Sequence, residues 1–565
     1  MKYQERIPVS IQVGSPDVSS AAENRGTVAF DVFDTLLVRP FWKPKDLFRY
    51  MEAMLGREGF ADARIAAERK ARETKREIVI DEIYDCLDPS FSDLKEKEIS
   101  LEISLCRADP EIVPIYESLL EQGKRIVLVS DMYLPSQIIR KMAEKAGFHD
   151  ISAVYVSGEN GCSKADGGLY RKLLSDLSLE PSDVLMVGDR PDVDVKRARE
   201  AGIDAIRWIP LRERYSASHR PEARFAERYG WMSSVIAGMD AIYTSGQRKG
   251  YWYDVSRRFG GPAALMFAQY IMKNSEDYDK LVFLSRDGYN PMRVYEEICE
   301  SPKDRIYLYS SRMIARMYGT GDLEDPTTVA SYMIRMGHEV KPGHLGFPDR
   351  KSCLEFSNEH REELRKLCDE GHARVGDYIR NTAGDGDILL VDATTKKFTS
   401  QKDIQSYLGR EVGGCYYAIT AETTEKATCY ADRSGQKFSS SYVNLIEFFF
   451  GSGEPGLKDI DGGPVFYEPA DDAKTRHSKE ILDGEIDCAR SYMEMFGDVL
   501  PYVTSDVIDG WLDVLMSHEK GDDPDTLSGI KWAIDTRHTL FRHLILRRSE
   551  IPFMAMLSIV GKLKG

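Results

Sequence analysis

Five polar residues follow apolar, strand-like runs in the first 200 residues, and their types suit the handling of a phosphoryl group. The runs are "TVAF", "RIVLV", "AVYVSG" and "VLMVG", and the polar residues that come after them are Asp31, Ser130, Lys164, Asp189 and Asp194. Parallel strands present their carboxyl ends at one edge of a sheet, where ligands bind. We therefore expect these five side chains to converge.

Each residue type has a place in such chemistry. A carboxylate nucleophile forms an aspartyl-phosphate and so divides one difficult displacement into two easier ones. A hydroxyl and an ammonium group hold the phosphoryl oxygens, and the ammonium also offsets the repulsion between carboxylate and phosphate. Carboxylates further along the chain are suited to hold Mg²⁺.

The elements that must position these residues alternate between short β-rich runs and helical patterns from residue 26 to residue 212. This alternation favours an α/β fold with a parallel sheet covered by helices. Residues 38–113 break the rhythm with helical periodicity throughout, and we predict a helical insert there. Residues 1–25 are interpreted as a polar lead-in.

The four ordered motifs resemble those of the haloacid dehalogenase-like (HAD) superfamily over residues 26–212. The resemblance implies a Rossmann-like core with a helical cap of the C1 type, inserted between the first and second motifs. By motif, Asp31 in "DVFDTLL" matches the nucleophile. Ser130 in "LVSD" and Lys164 in "SKADGGLY" match the residues that hold the phosphoryl group.

The same resemblance implies a magnesium ion. Its protein ligands would be the carboxylates of Asp31, Asp189 and Asp194 and the backbone carbonyl of Phe33. The implied activity is the Mg²⁺-dependent hydrolysis of a small phosphorylated metabolite.

Phe33 departs from the superfamily's phosphatases, which usually carry an aspartate two residues after the nucleophile as general acid and base. A phenylalanine moves no proton. Three interpretations stay open: a dehalogenase, which also carries an aromatic residue there; a phosphohydrolase limited to good leaving groups; and an inactive domain kept for binding. The retained metal acids count against the first. Asp34 either replaces the missing acid or hydrogen-bonds the turn.

The insert offers candidate substrate ligands. Arg64, Glu68 and Arg72 recur every four residues and so share one helix face. Two arginines beside a glutamate either grip an anionic substrate or form a solvated ladder of ion pairs. Arg39, just after the first motif, is predicted to lie near the cap hinge and to bind substrate.

The second half of the chain shows another α/β pattern. We predict a linker at 213–250, a second Rossmann-like α/β domain at 251–470 and a helical region at 471–565, whose apolar tail we expect to form a helix. Candidate site residues at predicted strand ends are Arg286, Asp287, Arg312 and Asp392. An Arg286–Asp287 pair that braces a turn is the structural alternative. The motif order in both halves is similar to that of two-domain bacterial HAD hydrolases associated with surface-polysaccharide biosynthesis.

Composition narrows the class of protein. The net charge of -16 argues against nucleic acid as a partner. Nine scattered cysteines, without a CxxC pair, indicate reduced thiols. No apolar run is long enough for a signal peptide or a transmembrane segment, so we expect a cytoplasmic protein. The resemblance implies a small phosphorylated substrate, such as a sugar phosphate or activated sugar of polysaccharide assembly, and polysaccharide-biosynthesis proteins as partners. The alternative is a weak or inactive HAD domain that serves binding or scaffolding, while the second domain acts on a glycan or protein.

Overall fold

The structure is a computed structural model of the 565-residue chain. It describes residues 16–246, 249–341, 343, 348–435, 440–469, 472–533 and 541–545. The chain divides into two compact units. The N-terminal unit contains the described part of 8–248 together with Tyr492–Pro501, and the C-terminal unit contains the described part of 249–565 without that segment.

The N-terminal unit is built on a five-stranded parallel sheet. After helix α1 (Val18–Ala22), its strands are β1 (Thr27–Phe30), β4 (Arg125–Ser130), β5 (Ile151–Val156), β6 (Val184–Gly188) and β7 (Asp204–Arg207), in the spatial order β5-β4-β1-β6-β7. Every residue of β1 and β6 is buried, which explains their continuous apolar sequence, since helices cover both faces of such a sheet. The predicted Rossmann-like α/β core is confirmed.

The predicted helical cap is also confirmed. A two-stranded antiparallel ribbon, β2 (Leu37–Val38) and β3 (Arg107–Ala108), forms its base. Between them lie α2 (Asp46–Leu55), α3 (Phe60–Thr74), α4 (Ile80–Asp85) and α5 (Leu94–Leu105). The sheet helices that follow are α6 (Val113–Glu121), α7 (Ser136–Lys145), α8 (Ser157–Asn160), α9 (Gly168–Leu177) and α10 (Arg197–Glu200).

Residues 213–246 are not the linker that their polar composition suggested. They belong to three helices, α11 (Leu211–Ser218), α12 (Arg220–Phe225) and α13 (Trp231–Thr244). The polar composition did not indicate helices packed in the unit, because some of the charged residues are buried in ion pairs. The Arg214 side chain is fully buried, and its Nη2 donates to both carboxylate oxygens of Asp109 at 2.6 and 2.8 Å. Trp208 donates to the same carboxylate at 3.2 Å.

The C-terminal unit contains the second Rossmann-like sheet, which is again all parallel. Its strands are β8 (Lys280–Leu284), β9 (Asp304–Leu308), β10 (Ile388–Thr395), β11 (Gly413–Ile419) and β12 (Ala427–Asp432), in the order β12-β11-β10-β8-β9. Its helices are α14 (Tyr251–Val255), α15 (Gly261–Asn274), α16 (Tyr289–Ile298), α17 (Arg312–Ile314), α18 (Pro326–Arg335), α19 (Arg350–Glu359), α20 (Arg361–Ala383), α21 (Thr399–Leu408) and α22 (Ser440–Phe450). A small antiparallel pair follows, β13 (Leu457–Ile460) and β14 (Pro464–Phe466).

The region predicted to be helical from residue 471 is so in its first part, with α23 (Ala473–Phe496) and α24 (Ser505–His518). It then forms a short antiparallel pair, β15 (Lys531–Ala533) and β16 (Phe541–His543), which the helical prediction did not include. The apolar tail at 551–565 and residues 1–15 of the lead-in lie outside the described residues. Within the described ranges, no helix is long and apolar enough to cross a bilayer. The nine cysteines, all described, form no disulfide.

Candidate active site

The strand order of the N-terminal unit brings the five predicted residues to one edge of the sheet. Asp31 follows β1 directly, and its backbone N–H donates to the carbonyl of Val187 on β6 at 2.8 Å. Ser130 is the last residue of β4, which pairs with β1 on the other side. Asp189 follows β6, and Asp194 lies in the π-helical turn Pro191–Lys196. The backbone thus places Asp31, Ser130 and Asp189 at the ends of three neighbouring strands.

Lys164 lies at the centre of the cluster. Its Nζ forms ion pairs with Asp31 and with Asp194 Oδ1, the latter at 2.6 Å. Burial works to lower the pKa of Lys164, but Asp31 and Asp194 outweigh it, and the pKa lies well above its usual value. The ammonium group is therefore held in its charged form.

The three carboxylates exceed the charge that one lysine offsets. Oxygens of Asp31, Asp189 and Asp194 all lie within 4.8 Å of one another. The pKa of Asp31 is raised to about 8, because burial and the charges of Asp194 and Asp189 outweigh the lowering by Lys164. Burial, Asp34 and Asp194 raise the pKa of Asp189 to about 6. Crowded carboxylate oxygens with excess negative charge are the donor set that a hard divalent cation prefers, so these residues fit a magnesium ion.

Sequence reasoning missed two groups that position this cluster. Gly188 allows Asp194 to approach the end of β6, because a Cβ at position 188 would lie 2.5 Å from Asp194 Cγ. Asp131, the residue after Ser130, accepts the backbone N–H of Lys164 at 2.8 Å and so fixes the lysine segment. The dipeptides "GD" and "SD" at the strand ends are the only signals of either role.

Phe33 has an unexpected partner. The guanidinium of Arg39 lies over its ring at 4.0 Å from the centroid, a cation–π contact. Arg39 also forms a bidentate pair with Glu102 of α5, at 2.9 and 3.2 Å. The Arg39 side chain is only 11% exposed. Arg39 thus joins the first motif to the cap, which restricts its freedom to bind the substrate predicted for it.

The backbone of Asp34 forms part of the turn, and its carboxylate acts electrostatically on the site. Its φ of 58° is left-handed, and its N–H donates to the carbonyl of Leu37 at 2.8 Å. Its carboxylate helps to raise the pKa of Asp189, so it lies within electrostatic range of the metal acids. Asp34 and Arg39 also line a pocket with Trp42 and Arg212.

The two cap arginines differ from each other. The Arg64 side chain has no exposed surface, and its guanidinium forms a bidentate pair with Glu98 at 2.7 and 2.8 Å. The pair with Glu98 gives Arg64 a structural role inside the cap, and its role as a substrate ligand stays a prediction. Arg72 is 41% exposed and bonds to Glu68 at 3.2 Å, as in the ion-pair ladder that was the alternative.

Three of the four candidates of the C-terminal unit also lie at a carboxyl edge. Arg286 and Asp287 follow β8, and Arg312 begins α17, which follows β9. Asp392 lies inside β10 and not at its end, because the strand continues to Thr395. Within the described residues, Arg286 and Asp287 do not form the bracing ion pair; Asp287 instead faces Lys474 at 3.8 Å.

Comparisons with known proteins concern the N-terminal unit. The family model of haloacid dehalogenase-like hydrolases matches residues 25–202. A phosphoserine phosphatase of Thermus thermophilus is 38% identical over 88 residues, which are 16% of this chain and 34% of that protein. The chain thus matches about a third of that relative's length.

Solved structures are similar at lower identity. A predicted phosphoglycolate phosphatase from Haemophilus somnus is 17% identical, with 33% of this chain and 85% of that chain covered and a TM-score of 0.25. An L-2-haloacid dehalogenase from Xanthobacter autotrophicus is 18% identical, with 32% and 77% covered and a TM-score of 0.25. Residues 25–202 carry the sequence pattern of a haloacid dehalogenase-like hydrolase.

Proposed function

We propose that the N-terminal unit is a Mg²⁺-dependent phosphohydrolase that acts through an aspartyl-phosphate on a small phosphorylated molecule. The observation that carries the proposal is the cluster in which Lys164 contacts both Asp31 and Asp194 while Asp189 completes a set of three carboxylates within 4.8 Å. A merely structural strand end needs neither a buried lysine nor three crowded acids.

Asp31 is the proposed nucleophile. One of its carboxylate oxygens forms a bond to phosphorus as the bond to the leaving oxygen breaks, and water then attacks the phosphorus of the aspartyl-phosphate to release phosphate and regenerate Asp31. Lys164 offsets the repulsion between the incoming phosphate and the carboxylate. Ser130, at the end of β4, is proposed to donate its hydroxyl to a phosphoryl oxygen.

The proposed ligands of the magnesium ion are Asp31, Asp189, Asp194 and the backbone carbonyl of Phe33. When bound, such an ion neutralises the negative charge that develops on the phosphoryl oxygens. The chain's own residues then orient the phosphorus against Asp31, because Lys164 and the turn at Asp194 hold their positions through contacts already present.

Phe33 determines which substrates suit the site. The ring occupies the position usual for the proton donor and is covered by Arg39, so a leaving group that needs protonation is disfavoured. Acyl phosphates and anhydrides leave as stable anions and do not need that proton. Asp34 is the remaining acid near Asp189 that could protonate a slower leaving group.

The retained metal acids separate this proposal from halide displacement, for which an aromatic residue at position 33 would be typical. A second candidate function is a catalytically weak or inactive domain that binds a phosphorylated ligand. The contact of Arg39 with Phe33 and Glu102 favours this second candidate. It joins the cap to the first motif at the position where a proton donor is usual.

The finer substrate class rests on resemblance alone. The similarity to two-domain bacterial hydrolases supports a sugar phosphate or activated sugar in cell-surface polysaccharide biosynthesis, with proteins of that process as partners. It also supports a bacterial, cytoplasmic protein. A polysaccharide role requires turnover of glucose 6-phosphate or of a sugar nucleotide.

The test is phosphate release by the full chain with Mg²⁺ from acetyl phosphate, glucose 6-phosphate and phosphoserine, together with the release of nucleoside monophosphate from sugar nucleotides. We expect turnover that Asp31→Asn abolishes. Asp176→Asn is a matched control, because Asp176 lies on α9 and pairs with Lys172 at 3.0 Å, away from the cluster. Turnover that survives Asp31→Asn, or no turnover on any substrate, would contradict catalysis. Binding of the same compounds without turnover would support the second candidate.

A further inference from the structure

The strand order of the C-terminal sheet predicts a crevice at its carboxyl edge. In the strand order β12-β11-β10-β8-β9, β8 has β9 on one side and β10 on the other. The connection from β8 to β9 and the connection from β9 to β10 therefore run in opposite directions along the sheet. Ligands bind at such a switch point because connections that depart in opposite directions leave a crevice between them. Arg286 and Asp287 follow β8, and Asp392 lies in the adjacent β10.

A buried lysine lies at this crevice. Lys474 on α23 faces Asp287 Oδ1 at 3.8 Å, and its Nζ donates to the backbone carbonyl of Glu447 at 2.9 Å. The Lys474 side chain is 9% exposed. The chain makes room for it, since a Cβ at Gly451 would lie 1.8 Å from Lys474 Nζ. Sequence reasoning identified neither Lys474 nor Glu447.

The carboxylates of the crevice are drawn towards their neutral forms. Desolvation and Asp287 raise the pKa of Asp392, against a smaller lowering by Arg312. Desolvation and Asp287 also raise the pKa of Glu447, whose carboxylate accepts a hydrogen bond from Thr394. When these carboxyl groups are protonated, they do not balance the positive charges around them.

Two guanidinium groups add positive charge. Arg286 and Arg312 are both exposed, and within the described residues neither side chain has an ion-pair partner. Arg286 is held in place by its backbone: its N–H donates to the Tyr307 hydroxyl at 2.8 Å, and its carbonyl accepts the N–H of Ser452 at 3.0 Å. Its φ of 70° is unusual for a residue with a side chain and is maintained by these bonds.

We propose that this crevice, which we name the β8–β10 crevice, binds a small phosphorylated molecule without a metal ion, with its phosphoryl group held by Arg286 and Arg312. Guanidinium groups bind phosphate by paired, charge-assisted hydrogen bonds. In this proposal, Asp287 and Asp392 exchange hydrogen bonds with hydroxyl groups of the same ligand. The carboxylates here do not form a metal-type cluster: in the described chain, the oxygens of three acids converge within 4.8 Å only at Asp31, Asp189 and Asp194.

The proposal is independent of catalysis in the N-terminal unit, and its test separates the two. Calorimetric titration of the full chain with inorganic pyrophosphate in EDTA is expected to show binding, because the crowded carboxylates of the N-terminal unit repel pyrophosphate when no cation is present. Arg286→Asn keeps a residue that tolerates positive φ, and Arg312→Gln changes an exposed side chain. Each is expected to weaken binding by about tenfold or more, as the loss of a charge-assisted hydrogen bond does.

Two controls define the result. Arg293→Gln, on α16, removes an arginine that pairs with Glu296 at 3.0 Å and is expected to bind pyrophosphate as the parent does. Lys164→Ala, in the N-terminal unit, is expected to leave binding in EDTA intact. Absence of binding, binding unchanged in both Arg286→Asn and Arg312→Gln, or binding lost in Lys164→Ala would overturn the proposal. Circular dichroism of each variant shows whether a loss reflects unfolding.

Discussion

Each unit has a buried lysine and carboxylates near the carboxyl edge of a parallel sheet, and the two clusters differ in how the charges meet. In the N-terminal unit, Lys164 contacts two carboxylates, and the oxygens of all three acids converge. In the β8–β10 crevice, Lys474 faces one carboxylate at 3.8 Å and bonds to a backbone carbonyl.

The surroundings of the two lysines account for the difference in proposed ligands. Negative charge exceeds positive charge around Lys164, which suits a cation and, through it, a phosphoryl group. Around Lys474, two arginines add positive charge while the pKa values of Asp392 and Glu447 are raised. Similar residue types at a similar topological position thus favour a metal-assisted site in one unit and a metal-free anion site in the other.

Replacement of Lys164, the buried lysine of the N-terminal unit, is expected to have the largest effect on activity. Lys164→Met leaves Asp31 and Asp194 facing each other without a counter-charge and removes the group that approaches the phosphate. We expect kcat/KM for acetyl phosphate to fall by about a thousandfold or more, measured by phosphate release.

The matched control is Lys172→Met, which removes a 40% exposed lysine that pairs with Asp176 on α9. It is expected to retain the parent activity. Equal losses in the two variants would contradict a specific role for Lys164.

Magnesium should stabilise the N-terminal unit through its carboxylates. A ligand present at a hundred times its Kd adds about 2.7 kcal/mol to the free energy of unfolding. We expect Mg²⁺ to raise Tm in the parent protein and not in Asp189→Asn. Asp192→Asn, which changes an exposed aspartate in the turn that follows, should respond as the parent does. An equal Mg²⁺-induced rise in Asp189→Asn would place the cation elsewhere.

The strands of the N-terminal sheet, and the strand ends at which the candidate residues lie, could be predicted from sequence because the signals are local. An apolar run that ends in a polar residue marks a strand and its carboxyl end together, and four such runs define one edge. The helical cap followed from periodicity between residues 38 and 113. Each of these features depends on neighbours within a few residues of the chain.

Partners far apart in the chain were beyond that kind of inference. Arg64 pairs with Glu98, 34 residues away, and Arg214 pairs with Asp109, 105 residues away. A polar pattern does not reveal whether a charge faces water or a distant partner, so the 213–250 stretch was interpreted as a linker. Lys474 was missed for the same reason, since it reaches the β8–β10 crevice from a helix late in the chain.

The glycines next to the two clusters should differ in their tolerance of a side chain. Gly188→Ala would place a Cβ 2.5 Å from Asp194 Cγ, and the Asp194 carboxylate is anchored by the N–H of Arg190 at 3.0 Å. Gly451→Ala would meet the Nζ of Lys474, the far end of a flexible side chain. We expect Gly188→Ala to lower the free energy of unfolding by about 1–3 kcal/mol, and Gly451→Ala to lower it by less.

Denaturant unfolding of the two variants provides the comparison, and phosphate release gives a second measurement. Gly188→Ala should also lower activity, because it displaces a proposed metal ligand. If Gly451→Ala proves the more destabilising, the Lys474 ammonium is held as rigidly as the Asp194 carboxylate, and the proposed contrast between the clusters fails.

The smallest effect is expected at Phe33, where the N-terminal cluster meets the cap. Phe33→Asp supplies a carboxyl group at the position of the missing proton donor, and a general acid matters most for poor leaving groups. We expect the ratio of kcat/KM for glucose 6-phosphate to that for acetyl phosphate to rise by at least about tenfold. Phe33→Leu also removes the ring beneath Arg39 but adds no acid, so it should leave the ratio unchanged. A rise of equal size in Phe33→Leu would mean that release of Arg39 from the ring, rather than proton donation, sets the preference for leaving groups.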